Sequence, residues 1–148
     1  MCIVSRYLPG HGIPPHVDSH SCCSDLLSLS LCSPVTMDFR DITDSSKAPS
    51  PVPIWLTQRS LLSLKGPARY TWSHGIVPRS SDPVPAQVVS PASPSQGLTL
   101  VNRGLRVSLT FRKTITEPCS CPYPEYCDRD TRGKPSLPRY LSAIMNLY

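Results

Sequence analysis

His16 and Asp18 stand two residues apart in the run Tyr7-Leu8-Pro9-Gly10-His11-Gly12-Ile13-Pro14-Pro15-His16-Val17-Asp18-Ser19-His20. On an extended backbone both side chains leave the same face, where an imidazole and a carboxylate can grip one metal ion. A third candidate is His74, in Tyr70-Thr71-Trp72-Ser73-His74-Gly75-Ile76, an aromatic-rich segment with strand propensity. Two histidines and one carboxylate on one side of a metal leave the opposite positions open, a donor set suited to ferrous iron and oxygen chemistry. The pair alone is a weak signal, because a chain with four histidines produces a His-x-Asp readily by chance. A single histidine beside a tryptophan is also an ordinary core residue.

A second stretch adds weight. In Arg103-Gly104-Leu105-Arg106-Val107-Ser108-Leu109-Thr110-Phe111-Arg112 the polar residues Arg106, Ser108, Thr110 and Arg112 alternate with Val107, Leu109 and Phe111. The alternation describes a strand with one apolar face and one face carrying two guanidinium groups and two hydroxyls. At about 3.3 Å per residue the arginines begin roughly 20 Å apart, and their long side chains can converge on a small dicarboxylic acid from its two ends. The planar guanidinium fork pairs bidentately with a carboxylate.

These residues need a scaffold of short strands. Eighteen prolines among 148 residues argue against long helices and for brief strands joined by stiff loops. Cys2 to Tyr7 reads as a strand, after which proline and glycine bend the chain so that His16 and Asp18 arrive at a strand-to-loop edge. Further strands are expected over Leu26 to Leu31, Val35 to Phe39, Val52 to Leu56, Ser60 to Leu64 and Tyr70 to His74. The pair 52–56 and 60–64 is expected to form a hairpin across Thr57-Gln58-Arg59. Val77 to Gly97, rich in proline and serine, reads as a mobile loop. Eight short strands fit a jelly roll.

The net charge of +5 comes mostly from arginine, and eight of the fifteen basic residues lie between Arg103 and Arg139. That balance suits an anionic partner such as RNA without forming a dense basic tract. Seven cysteines, an odd number, and no signal peptide at Met1-Cys2-Ile3-Val4-Ser5-Arg6 point to a reducing compartment, cytoplasmic or also nuclear. Cys119-Ser120-Cys121 with Cys127 is a possible zinc set, while Cys22, Cys23 and Cys32 read as small hydrophobes beside a strand. No run approaches the roughly 18 apolar residues of a membrane span.

In order along the chain, the Gly-Ile-Pro-Pro-His-Val-Asp run, the Leu-Ser-Leu-Ser-Leu and Met-Asp-Phe strands, the Arg-Tyr-x-Trp-x-His segment and the Arg-x-Ser-x-Thr-x-Arg strand resemble the AlkB family of ferrous, 2-oxoglutarate-dependent dioxygenases. The resemblance covers about Cys2 to Cys127 and is strongest to the branch that hydroxylates a modified wobble uridine of tRNA, whose members also carry RNA-recognition and methyltransferase domains. It implies an all-β, double-stranded β-helix fold, lacking strands and a lid that relatives place ahead of it, with a zinc-tied C-terminal extension. His16, Asp18 and His74 would bind Fe(2+). Arg106 and Arg112 would bind 2-oxoglutarate, with Ser5, Arg6 and Tyr7 at the end of the first strand; the family usually has asparagine in place of Ser5. His20, Cys119, Cys121 and Cys127 would bind Zn(2+). The expected organisation is an oxygenase domain over residues 1–128, with residues 78–97 as a mobile loop, and a divergent tail over 129–148. The expected substrate is tRNA; the alternatives are an inactive binding module on the same fold, or an AlkB-type demethylase acting on alkylated nucleic acid or protein.

Overall fold

A computed structural model of the chain describes residues 1–21, 24–43, 50–92, 96–114 and 119–128. Ten strands are present among them: β1 (Cys2–Tyr7), β2 (Ile13–His16), β3 (Leu26–Cys32), β4 (Val35–Asp41), β5 (Val52–Leu56), β6 (Leu61–Leu64), β7 (Trp72–Ile76), β8 (Ser81–Pro85), β9 (Leu98–Asn102) and β10 (Arg106–Phe111). Two helical turns, α1 (Pro67–Tyr70) and α2 (Ala86–Val89), interrupt the strands. One four-stranded sheet has the order β1-β10-β3-β6 and the other β2-β7-β4-β5, all antiparallel, while β8 and β9 form a separate ribbon. This is the double-sheeted architecture of a jelly roll.

The two sheets turn opposite chemistry toward the space between them. From the β2-β7-β4-β5 sheet Val35, Met37, Phe39, Leu56 and Ile76 enter the core, where they meet Leu26 and Leu64 from one end of the β1-β10-β3-β6 sheet. Elsewhere that second sheet turns polar groups inward. Its register aligns Ser5 with Ser108 and Ser30, and Tyr7 with Arg106. Ser28, Ser30, Arg106 and Ser108 are all buried. The residues alternating with these polar groups therefore face outward: Leu27, Leu29, Leu31, Leu109 and Val107 are only half-buried, and Val4 and Leu61 are largely exposed. The alternation along β10 is as read from the sequence, and the polar face is the inner one.

Three sequence expectations change. Strands β5 and β6 do not pair with each other; β5 joins β4 and β6 joins β3. Their connection turns a corner between sheets through Arg59, in the left-handed region at φ 64°, whose N–H donates to Ser30 O at 2.7 Å. The corner lets Leu56 and Leu64 enter one core from opposite sheets, burial that a flat hairpin would forfeit. The strand expected from Tyr70 begins at Trp72, because Pro67–Tyr70 coils into α1 after Gly66 at φ 52°.

The segment read as a mobile loop contains β8, α2 and the start of the β8–β9 ribbon. Asp82 anchors it. Fully buried, its carboxylate accepts from Arg103 Nε at 2.7 Å and Nη2 at 2.8 Å, from Arg79 Nε at 2.8 Å and from Thr36 N at 3.3 Å. Those donors hold the Asp82 pKa below the ordinary carboxylate value against the opposing effect of burial. Cys22, Cys23 and the 129–148 tail lie outside the described residues.

Candidate metal and co-substrate site

His16 and His74 face each other across β2 and β7, and Asp18 follows two residues on. Two glycines let β2 lie this close to β7: a Cβ on Gly12 would overlap the Ile76 carbonyl, and one on Gly75 would sit 2.9 Å from Ile13 O. β2 carries Pro14 and Pro15 and lies at the edge of its sheet, where missing N–H donors cost no ladder bonds. One ligand atom from each of His16, Asp18 and His74 lies within 4.8 Å of the others. His74 Nε2 is 3.5 Å from an Asp18 oxygen, and the two imidazole centroids are 4.5 Å apart.

The protonation states suit a cation. Burial, followed by the nearby His16, pushes the His74 pKa down to about 4 although Asp18 opposes the shift, so the ring is neutral at pH 7, as a ligand must be. His16 Nδ1 lies 2.9 Å from Pro14 O, which selects the Nδ1–H tautomer and leaves the Nε2 lone pair to point at a metal. Phe39 stacks on His74 with centroids 5.7 Å apart and walls the apolar side.

Beside this cluster the arginines of β10 offer an anion site. Arg112 Nη1 lies 3.4 Å from Asp18 Oδ1, at the long limit of a hydrogen bond. Arg106 is 4% exposed, donates to Ser30 Oγ at 2.9 Å and sits 5.3 Å from the Tyr7 ring centre. Nε of both arginines is buried with no hydrogen-bond acceptor among the described residues. Burial lowers the Arg106 pKa, Tyr7 opposes the shift and Arg103 adds to it, so the guanidinium is a cation short of a counter-ion. A carboxylate would supply what both groups lack. Ser5 and Tyr7 share this face of β1. Arg6 does not: it is exposed and aligned with Val107 on the outer face, because neighbouring strand residues point to opposite sides. Its expected place in the co-substrate pocket is thereby lost.

A second cluster joins His20, Cys119, Cys121 and Cys127, whose ligand atoms also lie within 4.8 Å of one another. His20 Nδ1 is 3.2 Å from Cys121 Sγ, and His20 N donates to Asp128 Oδ1 at 2.9 Å. Burial pushes the Cys121 thiol up to about 11, with hydrogen bonds to Cys119 and Cys127 acting the same way and the Tyr123 backbone opposing. Three thiols and an imidazole in one knot could hold a zinc ion, and a cation there would reverse the protonation preference. Among the described residues no helix is long and apolar enough to cross a membrane.

Sequence reading missed Arg69 and the Asp82–Arg103 pair. Arg69 is 1% exposed and reaches the loop that carries Asp18. No sequence periodicity marks a guanidinium as buried, since its partners lie about fifty residues away.

A family profile described as the 2OG-Fe(II) oxygenase superfamily matches residues 1–112. The chain is 44% identical over 140 residues to tRNA (carboxymethyluridine(34)-5-O)-methyltransferase alkbh8 of Xenopus tropicalis, covering 91% of this chain and 22% of that protein. It is 42% identical to the Mus musculus protein of the same name, over 89% of this chain and 20% of the relative. The alkylated DNA repair protein ALKBH8 homolog of Arabidopsis thaliana is 38% identical over 84% of this chain and 37% of its own length. The chain thus spans about a fifth of the length of the vertebrate relatives.

Proposed function

We propose, for a chain that belongs to the 2OG-Fe(II) oxygenase superfamily, that it is an AlkB-type dioxygenase that hydroxylates a modified wobble uridine in tRNA. The oxygenase chemistry follows the family; the substrate follows the relatives, two of which are named for a carboxymethylated uridine at tRNA position 34. The observation that carries the reading is the convergence of His16, Asp18 and His74 within 4.8 Å, flanked by two arginines with unsatisfied buried donors.

His16, Asp18 and His74 would hold a ferrous ion, three donors that do not by themselves fill a metal's coordination shell. Arg106 and Arg112 anchor the co-substrate carboxylates, with Ser5 and Tyr7 on the same face. When bound, ferrous iron and 2-oxoglutarate supply oxidation by dioxygen, decarboxylation of the co-substrate to succinate and delivery of one oxygen atom to a substrate carbon. The protein contributes placement and dryness: the neutral His74 imidazole, a carboxylate held between His74 and Arg112, and the Phe39 wall. Residues 1–128 form the oxygenase unit in this reading, and the HisCys3 cluster ties its end with zinc.

The test is incubation with ferrous iron, 2-oxoglutarate and tRNA bearing the modified uridine, reading succinate and nucleoside mass. The expected result is one oxygen gained per succinate. Succinate without any change in tRNA would sink the substrate assignment alone. No succinate from a chain carrying both metals would sink the enzyme and leave a binding module.

A further inference from the structure

We infer that Arg69 is the positioning residue that locks the two clusters into one rigid unit; the inference rests on the metal reading above and deepens it. Asp18 belongs to one cluster and His20 to the other, so only Ser19 separates a ligand of each. Their relative direction is set by the two peptide planes between them. Arg69 holds both planes: Nη1 donates to Asp18 O at 2.9 Å and Nη2 to Ser19 O at 2.6 Å. With those carbonyls fixed, the rotations between Asp18 and His20 have no freedom to drift independently.

The anchor is itself immobilised. Arg69 is 1% exposed, its backbone N–H donates to Gly66 O at 3.0 Å at the start of α1, and its guanidinium carbon lies 5.1 Å from the Tyr70 ring centre. Tyr70 in turn meets the His20 ring edge-on at 4.9 Å and Tyr123 at 5.6 Å, the latter between two of the cysteines. One residue of α1 thus grips the backbone on the Asp18 side, and its neighbour packs against the cluster on the His20 side. The fork matters more than the charge, because two N–H groups in one plane reach two successive carbonyls and a lysine ammonium cannot match that spacing.

The experiment compares wild type with Arg69→Lys and Arg69→Gln in the full chain. Cobalt(II) affinity at the His16, Asp18 and His74 cluster is measured with and without zinc in the thiolate cluster. Wild type is expected to bind cobalt more tightly when zinc is present. Both variants are expected to lose about ten-fold or more in cobalt affinity, as disruption of ligand support does elsewhere, and the ratio with and without zinc should fall to one. A purely global destabilisation would not abolish that ratio while zinc still binds. Retention of the wild-type ratio in Arg69→Lys overturns the inference. A wild type that binds zinc but no cobalt overturns the oxygenase reading instead. In that event amide exchange across Val17 to Ser21 decides on Arg69: faster exchange in both variants supports it, and wild-type exchange overturns it.

Discussion

In both clusters the ligand atoms lie within 4.8 Å of one another, and the clusters differ in nearly everything else. The His16, Asp18 and His74 set stands on or just beyond two paired strands, and three donors leave room for further ligands. The His20, Cys119, Cys121 and Cys127 set stands on irregular segments and offers four donors, enough to close a tetrahedral shell. Strand-borne ligands are rigid before metal arrives, whereas loop-borne thiols gain their order from it. The first cluster is therefore suited to reaction and the second to fastening.

Breaking either cluster separately sharpens this contrast. Asp18→Ala removes the sole carboxylate of the first set; metal binding there and succinate release should both disappear while zinc content stays unchanged, as anaerobic titration and elemental analysis would read. Retained iron stoichiometry would refute the assignment. Cys121→Ser should release zinc and also weaken metal binding at the first cluster by about ten-fold, since Asp18 and His20 share a loop. The reverse asymmetry would mean that the reactive cluster fastens the fold.

Arg106→Ala leaves both clusters in place and removes one arm of the anion site. Loss of one charge-assisted pair in a buried pocket should cost about 1.5–3 kcal/mol, roughly ten- to a hundred-fold in 2-oxoglutarate affinity. Isothermal titration would detect it, and Arg106→Lys should restore only part. An unchanged affinity would make β10 an ordinary structural strand.

Acid separates the clusters in another way. Because burial lowers the His74 pKa from 6.5 to about 4, the unfolded chain binds a proton over that interval that the folded chain does not. Its stability contribution is complete above pH 6.5 and is lost as the pH falls toward 4. Denaturant midpoints of the metal-free chain should fall across this window, and fall less in His74→Gln. The smallest effect belongs to Arg6→Ala, an exposed residue on the outer face, which should change stability by no more than about 0.5 kcal/mol and leave 2-oxoglutarate binding alone.

Local spacing made much of this molecule legible. His16-x-Asp18 and the Arg106-to-Arg112 alternation obey the two-residue period of a strand, so the face they share follows from the chain itself. Proline and glycine after the first strand marked the bend that brings His16 and Asp18 to a strand-to-loop edge, whereas the close backbone approach at Gly12 and Gly75 emerged only in the fold. The sequence also bounded the architecture, since eighteen prolines leave no room for long helices. Tertiary structure decided whatever depends on which side of a sheet becomes the inside. The alternation of β10 and β3 is symmetric in pattern, and only the second sheet determines that serines and arginines line the interior while leucines face out. It likewise decided that β5 and β6 part at a corner, that Asp82 is buried beneath two arginines, and that Arg69 grips a loop fifty residues away. These outcomes depend on desolvation and on partners distant in sequence, whereas a residue's period along its own strand is a purely local property.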